Sequence, residues 1–399
     1  MAKHSNYDVI VAGGGPAGSS AAIHLATRGA RVLLVEQKKF PRAKLCGEFI
    51  SPECALHFER LGVIDRMLAA RPAKLSETVF YSRHGKSVSV PSAWFGSGGV
   101  AFGLSRAEMD ERLLRRASDA GAQVIEDASV TNVLIEATRV KGIVVKHGGT
   151  ESPYHAAVTL DATGRSRALA RRLEGDELKP HRAPLVAFKA HFSDTQVAAG
   201  ACEIYFYRGG YGGLSSIESG LSNLCFIASA ADVRRCGADA ERVMREVVCQ
   251  NRRAAETLRN AHLQTPWLAV TLEKFGRHKL SPAKGLFTIG DAASFIDPFT
   301  GSGMLMAMES GELAATVVSD YFRQGTLADI DKLSANYQTA YAQKFESRLR
   351  VCSLMRRAAF APGFAGLAIR LMGISAKVRH FVARGTRRDS QASLSSLID

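Results

Sequence analysis

The hydrophobic and polar positions of the chain follow two different patterns. Continuous apolar runs at residues 7–12, 32–35, 157–161 and 285–289 predict buried strands, and a helix is predicted from about 16 to 28. Apolar and polar residues alternate instead at 78–91 and through much of 185–271. Alternation is typical of an antiparallel sheet with one covered face. The chain therefore predicts an α/β lobe and a second lobe built on a sheet.

A glycine-rich turn follows the first strand. Gly13, Gly15 and Gly18 have the spacing G-x-G-x-x-G between two apolar strands, and Glu36 follows the second strand. In such a unit the glycines permit a tight turn, the approach of a pyrophosphate and close helix packing, while the acid accepts hydrogen bonds from a ribose. The free N–H groups of the helix that follows favour a phosphate. This turn predicts dinucleotide binding.

A second loop of small residues with an acid lies near residue 290. The strand at 285–289 ends at Gly290 and Asp291, and Gly301 and Gly303 precede a helix predicted from about 302 to 321. Asp291 can bond polyol hydroxyls, and the small residues leave backbone N–H groups open to an anion or a ring edge. An ordinary strand–loop–helix would also fit this segment alone. Next to the N-terminal turn, it predicts FAD.

The chain resembles a known superfamily of flavoproteins. Together with the turn Asp161-Ala-Thr-Gly164, the two loops look like its three fingerprints. The superfamily includes single-component aromatic hydroxylases, flavin-dependent halogenases and geranylgeranyl reductases, and segment 40–48 is most similar to the reductase-like members. The resemblance covers about residues 5–330. It implies an α/β fold (α+β overall): a Rossmann-like FAD-binding lobe of glutathione-reductase type, an inserted antiparallel-sheet substrate domain and a C-terminal helical tail.

Motifs and resemblance together assign candidate residues for the site. The resemblance places an arginine in an Arg-x-x-x-Asp setting, here Arg106, on the cofactor phosphates, and it places Cys46 near the reacting edge of the flavin. Cys46 is the candidate catalytic residue, and Tyr205, Tyr207 and Tyr211 are candidate walls of the substrate cavity. No metal site is expected. The candidate cofactor-binding residues are Gly13, Gly15, Pro16, Ala17, Gly18, Glu36, Arg42, Lys44, Cys46, Gly47, Arg106, Asp161, Gly164, Gly290, Asp291, Pro298, Gly301, Gly303 and Met304.

The resemblance leaves the reaction open. In the first interpretation, flavin N5 delivers hydride to an alkene of a lipophilic substrate, as in geranylgeranyl reductases. In the second, an NAD(P)H-dependent monooxygenase hydroxylates or epoxidises an aromatic, polyketide or isoprenoid substrate through a C4a-hydroperoxide. A non-catalytic flavin-bound redox sensor or scaffold is a third, and a simple NAD(P) dehydrogenase a fourth. The tryptophan-rich W-x-W-x-I-P segment of the halogenases is missing, because residues 211–217 read YGGLSSI.

The order of the motifs predicts how the domains are divided. Residues 1–75, 100–183 and 276–330 are expected to form a discontinuous FAD-binding domain. Residues 76–99 and 184–275 are expected to form the substrate domain, with a helix at 238–261 on the back of its sheet. Residues 331–399 form a C-terminal helical basic region. A second G-x-G-x-x-G unit is absent from the sequence, so NAD(P)H or another reductant is expected to bind transiently in the same cleft.

Charge and composition add predictions about location. The net charge is +14, and residues 341–388 carry eleven basic residues and one acid interleaved with apolar groups. Such a region predicts either contact with an anionic membrane surface or a helical lid with a solvated basic face. No nucleic-acid motif accompanies the charge, so nucleic acid is not expected as a partner. Seven cysteines without a C-x-x-C pair, and no signal peptide or spanning run, predict a cytoplasmic protein, with membrane association at the cytoplasmic face as an option.

Overall fold

The computed structural model describes residues 6–95, 99–175, 184–272, 275–297, 299, 301–325, 329–360 and 369–370. Within them the strands are β1 Asn6–Ala12, β2 Val32–Val35, β3 Phe49–Ile50, β4 Ala73–Leu75, β5 Glu77–Tyr81, β6 Ser87–Pro91, β7 Ala101–Gly103, β8 Gln123–Ile125, β9 Ala128–Glu136, β10 Arg139–His147, β11 Thr150–Asp161, β12 Leu185–Ser193, β13 Ala201–Tyr207, β14 Gly210–Ser216, β15 Ser222–Ser229, β16 His262–Leu263, β17 Leu268–Leu272, β18 Gly276–Arg277, β19 Leu286–Thr288 and β20 Ser294–Phe295. The helices are α1 Pro16–Thr27, α2 Cys54–Arg60, α3 Ile64–Ala69, α4 Arg106–Asp119, α5 Ala168–Glu174, α6 Ala230–Arg235, α7 Ala240–Glu246, α8 Arg252–Thr257, α9 Gly303–Arg323 and α10 Ile330–Phe360.

A seven-stranded sheet forms the centre of the first lobe. Its strand order is β8-β2-β1-β11-β10-β9, and β19 also pairs with β11. Strands β8, β2, β1, β11 and β19 run parallel to one another, whereas β10 pairs antiparallel with both β11 and β9. Strands β2 and β19 and the second half of β1 are buried on both sides, which explains why their sequences are continuous apolar runs.

An eight-stranded sheet forms the second lobe. Its order is β16-β12-β15-β14-β13-β5-β6, with β17 also paired to β12. Side chains alternate between its faces, so the two faces have different neighbours. One face, which contains Phe188, Tyr205 and Phe226, packs under α6, α7 and α8. The other, which we call the front face, contains Tyr211 and Ile227 and meets the first lobe.

Helices α1 and α9 pack closely against each other. A Cβ on Gly311 of α9 would lie 2.3 Å from the backbone oxygen of Ala17 in α1, so only glycine fits this crossing. Helix α10 continues the same core through buried residues Leu333, Tyr337 and Phe345. Residues 330–352 therefore behave as a packed helix of the first lobe.

The predicted fold class is confirmed, and one helix is corrected. The α/β lobe, a second sheet that is antiparallel except between β13 and β5, and a C-terminal helix are all present, whereas the division into domains stays a prediction. The single helix expected at 238–261 consists of α7, a 3-10 turn and α8, because the Asn251 side chain caps a new helix at that point. No helix in the described part of the chain is long and apolar enough to cross a membrane. Pro298 and most of the basic tail beyond residue 360 lie outside the described residues.

Candidate functional site

The carboxyl ends of the parallel strands meet at one edge of the first sheet. Gly13 N donates to Val35 O at 2.7 Å, and Ala162 N donates to Ala12 O at 2.8 Å. Ile289 N likewise donates to Asp161 O at 3.0 Å. The glycine turn, the turn at 161–164 and the loop after residue 289 are thus joined directly through the backbone, where open α/β sheets hold their ligands.

Two glycines of the first turn have no room for a side chain. A Cβ on Gly18 would lie 1.9 Å from Gly13 O, and Gly13 itself has a φ of +109°. Pro16 and Ala17 occupy the first turn of α1 and are buried. The N-terminus of α1 is thereby held against the end of β1.

The distal loop rests on this turn. Gly290 has a φ of +60°, and a Cβ there would lie 2.7 Å from the Ala17 side chain. Its N–H donates to the Ser310 hydroxyl of α9 at 2.8 Å. Met304, in the first turn of α9, is buried, whereas a Cβ on Gly303 would meet no atom within 4 Å. The structure therefore brings both predicted loops together and leaves open space at the start of α9.

The carboxylate of Glu36 lies beside the turn. It accepts hydrogen bonds from Gly14 N at 2.7 Å and from Lys38 N at 3.0 Å. Arg42 Nε lies 3.6 Å from the same carboxylate. Glu36 therefore holds the turn, and it stays next to the position expected for a ribose.

Two arginines flank Gly15. The terminal nitrogens of Arg42 and Arg106 each lie 4.0 Å from the position of a Cβ on Gly15. Arg106 makes a bidentate ion pair with Asp110, with both distances 2.7 Å. Burial lowers the pKa of Arg106, but the Asp110 carboxylate and the Cys46 thiol raise it by more, so it lies well above the usual value. Both guanidinium groups are charged and directed at the glycine turn.

Further cations lie in the same cleft. Partial burial lowers the pKa of Lys44, and the charges of Arg106, Arg42 and Arg165 lower it further. Partial burial raises the pKa of Asp291, against the effect of Arg165, Arg106 and Lys44. Three cations thus act on Lys44 and three act on Asp291, so basic groups cluster in this cleft, as is favourable for binding an anion.

The turn at 161–164 is held by its own acid. The Asp161 carboxylate is fully buried and accepts hydrogen bonds from Thr163 N at 3.0 Å and from Ala170 N at 2.9 Å. Asp161 thus fixes the turn before α5. Both of its carboxylate oxygens accept hydrogen bonds from this turn and from α5, so neither is left to bind a ligand in the cleft. Gly164 has a φ of +69° and open space around it.

The segment Cys46-Gly47-Glu48 is a turn between the two lobes. Glu48 N donates to Cys46 Sγ at 3.4 Å, and Asn223 Nδ2 donates to Cys46 O at 3.1 Å. A Cβ on Gly47 would meet no atom within 4 Å. The Glu48 carboxylate is buried in ion pairs with Lys189 and His191, at 2.5 and 2.7 Å. Of the three, Glu48 is fully buried, whereas the Cys46 thiol acts on the pKa of Arg106 and so lies beside that residue of the cleft.

The three tyrosines do not share one face of the second sheet. Tyr205 and Tyr207 pack in the helix-covered core, where their hydroxyls donate to Glu203 at 2.7 Å and to Ile227 O at 2.9 Å. Tyr211 lies on the front face and bonds Asp297 of the first lobe. The two-residue period of the strands separates them, so the expectation for Tyr205 and Tyr207 is corrected and Tyr211 alone remains a candidate wall residue.

Sequence reasoning missed several polar residues of the site. Lys189, His191 and Asn223 reach the Cys46 turn from the front face. They could have been found from the sequence, because they are polar residues inside otherwise apolar strands. An unpaired charge is unfavourable in such a position, so these residues need partners. Arg165 was missed because it directly follows the turn at 161–164 and belongs to no recognisable motif.

The chain belongs to the FAD binding domain family, whose profile matches residues 6–329. The class that the resemblance implied, an FAD-dependent oxidoreductase, is thereby confirmed, and so is FAD, the cofactor that the motifs predicted.

Two relatives and two solved structures are similar over most of their length. A digeranylgeranylglycerophospholipid reductase of Methanoculleus marisnigri is 29% identical over 329 residues, covering 80% of this chain and 78% of the relative. A menaquinone reductase of Mycolicibacterium smegmatis is 26% identical and covers 94% and 91%. A geranylgeranyl bacteriochlorophyll reductase-like protein of Thermoplasma acidophilum is 20% identical, with a TM-score of 0.76, and the match covers 96% of this chain and 97% of that protein. A flavin-dependent brominase shares the fold equally well, with 20% identity, a TM-score of 0.76 and coverage of 97% and 95%.

The residues of the cleft fit FAD. Arg42 Nη1 is buried and makes no hydrogen bond within the described part of the chain, so a charged donor is left for an acceptor such as a phosphate oxygen. The N-terminus of α1, with Gly15 open beside two guanidinium groups, provides further donors.

Proposed function

We propose that this chain is an FAD-dependent reductase that saturates an alkene of a lipophilic, isoprenoid or quinone-like substrate. The observation that carries the proposal is the aromatic front face opposite the cofactor cleft. Phe80 and Phe206 lie there with their ring centroids 6.5 Å apart, and Phe299 of the first lobe lies 6.0 and 5.7 Å from them. An apolar wall of this kind favours a substrate without charge at its reacting end.

The site residues take proposed roles within this reaction. Bound FAD would supply the hydride, and NAD(P)H or another reductant would return the two electrons. Arg42, Arg106 and Lys44 would hold the phosphates, and Glu36 would accept from the ribose, alongside the backbone of the three turns. Cys46 Sγ is the proposed proton donor to the substrate carbon, and its position beside Gly47 at the cleft supports this role.

The monooxygenase is the rival within the same fold. The names of the relatives, a phospholipid reductase and a menaquinone reductase, support the reductase. A test is incubation of the purified protein with FAD, NADPH and an isoprenoid lipid that has no quinone ring, so that only an alkene can accept the hydride, followed by mass spectrometry of the lipid. The proposal predicts a product heavier by two hydrogens. A product heavier by one oxygen atom would establish the monooxygenase. If no product formed with any electron donor, the chain would instead be a non-catalytic sensor or scaffold.

We also propose a cytoplasmic protein whose basic C-terminal region contacts an anionic membrane. None of the seven cysteines, all of which lie in the described residues, forms a disulfide, which is typical of a reducing compartment. Leu354, near the end of α10, is 68% exposed, and it lies close to Arg350 and Arg356 in sequence. Sedimentation with vesicles tests this contact. Binding to phosphatidylglycerol vesicles, weakened by salt, is expected, whereas equal binding to neutral vesicles would contradict it.

A further inference from the structure

The front face carries a compact polar group within an otherwise apolar surface. In the register of β12 and β15, Lys189 lies opposite Cys225 and His191 lies opposite Asn223. Directly opposed residues of an antiparallel pair point to the same side, as do residues two apart along a strand. Lys189, His191 and Asn223 therefore form one group on the side that meets the first lobe.

This group binds one carboxylate of the first lobe. Glu48 is completely buried, and its carboxylate accepts hydrogen bonds from Lys189 Nζ at 2.5 Å, from His191 Nε2 at 2.7 Å and from Arg106 N at 2.8 Å. Burial raises the pKa of Glu48, but hydrogen bonding to His191 and the charge of Lys189 lower it by more, so the carboxylate stays ionised. A buried carboxylate needs such partners, because alone it would be strongly unfavourable.

The same contacts fix the backbone around Cys46. Glu48 has a φ of +53°, a left-handed conformation that is unfavourable for a residue with a side chain. Lys189 Nζ also donates to Lys44 O at 3.4 Å, and Asn223 Nδ2 donates to Cys46 O. The turn from residue 44 to residue 48 is therefore held at both ends by side chains of the second sheet.

We propose that Lys189 and His191, acting through Glu48, together with Asn223, are positioning residues that place the Cys46 thiol at the cofactor cleft. The inference rests on the proposed function only in one respect, the role of Cys46 as a proton donor. The contacts themselves predict that the thiol loses its fixed position when this group is removed, whether or not the chain reduces an alkene.

Asn223 supports a role beyond simple packing. Its side chain is 1% exposed, and its Oδ1 has no hydrogen-bond partner within the described residues. Reversing the amide would set Oδ1 against the carbonyl of Cys46, so the contact to Cys46 O fixes its orientation. A buried acceptor without a partner is uncommon in a group that serves only stability.

The test measures the thiol directly in the FAD-loaded protein. The variants are Lys189→Met, His191→Leu and His191→Gln, in which the Gln amide nitrogen replaces Nε2 as a donor. Iodoacetamide labelling of Cys46 is followed by peptide mass spectrometry, together with the visible absorption band of the flavin and the melting temperature. The matched control is Glu203→Gln, which removes another fully buried carboxylate on the helix-covered side of the same sheet and weakens its ion pair with Arg253 at 2.7 Å.

The expected results separate positioning from stability. Lys189→Met and His191→Leu should raise the rate of Cys46 labelling about tenfold, which corresponds to ~1.4 kcal/mol of local stability, and should shift the flavin band. His191→Gln should stay within about twofold of the wild type, since it restores the hydrogen bond. Glu203→Gln should lower the melting temperature without changing either Cys46 labelling or the flavin band.

Two outcomes would overturn the proposal. One is labelling of Cys46 that rises as much in Glu203→Gln as in Lys189→Met, because the effect would then follow global stability. The other is wild-type labelling in both His191→Leu and Lys189→Met. If Lys189→Met does not fold, the pair His191→Leu and His191→Gln decides the question by itself.

Discussion

Replacing Arg42 by methionine separates binding of FAD from stability of the fold. Nη1 of Arg42 is buried without a hydrogen bond among the described residues, and Arg106 and Lys44 add like charge nearby. Its ion pairs are long, 3.6 Å to Glu36 and 3.5 Å to Asp110. We therefore expect the free energy of unfolding of the apoprotein to change by less than about 1 kcal/mol, while the affinity for FAD falls.

The magnitude follows from the bond that Arg42 has available. A hydrogen bond to a charged group contributes about 1.5–3 kcal/mol. Loss of one such bond to a phosphate corresponds to a rise in the FAD dissociation constant of about 10- to 150-fold. The flexible methionine fills much of the same volume, so no large cavity adds to this figure.

The assay is a titration of the apoprotein with FAD, followed by flavin fluorescence, beside thermal melts of the apoprotein. Arg31→Met is the control, because Arg31 is 66% exposed and pairs with Asp8 at the start of β1. It should leave the dissociation constant unchanged. An unchanged dissociation constant for Arg42→Met would refute the assignment of Arg42 to the phosphates. Loss of apoprotein stability as large as the loss of affinity would make Arg42 a structural residue instead.

Three more predictions concern the turn, the sheet and acid stability. Gly18→Ala should abolish FAD binding and lower the melting temperature, because its Cβ would lie 1.9 Å from a backbone oxygen. Tyr211→Phe should raise KM for the lipid substrate about two- to tenfold through loss of one hydrogen bond, whereas Tyr205→Phe should lower only the melting temperature. The interaction with His57, whose Nδ1 lies 3.4 Å from the carboxylate, lowers the pKa of Glu312 to about 2, so the contribution of this carboxylate to stability is present above about pH 4.5 and is lost toward pH 2. The melting temperature of Glu312→Gln should thus lie below that of the wild type at pH 6 and converge with it in acid; a constant difference would contradict this.

The parts of the fold and site that the sequence predicted are local ones. The glycine turn from Gly13 to Gly18 is set by clashes between residues a few positions apart, so its spacing alone identifies it. The loop at Gly290 is similar, since a positive φ and close contact with Ala17 both require a small residue. Such constraints can be read from the sequence, because they allow only glycine or another small residue at the position.

The contacts of the polar group around Glu48 could not be predicted from residue type in this way. Glu48 is 141 residues from Lys189 and 143 from His191 in the chain, so their pairing depends on how the second lobe docks on the first. The prediction that Tyr205 and Tyr207 line the substrate cavity was wrong for a related reason. Alternation along β13 and β14 separates Tyr205 from Tyr211, but which side faces the cleft follows only from the three-dimensional arrangement.

Anaerobic stopped-flow spectroscopy of the FAD-bound chain distinguishes reduction of an alkene from oxygenation. The protein is reduced with one equivalent of dithionite and mixed, without oxygen, with an isoprenoid lipid that has no quinone ring, so that only an alkene can accept the electrons. We expect the flavin absorption to return at a rate that depends on substrate concentration, with formation of a lipid that has one double bond fewer. Flavin that stays reduced until oxygen is admitted, followed by an oxygenated product, would contradict it.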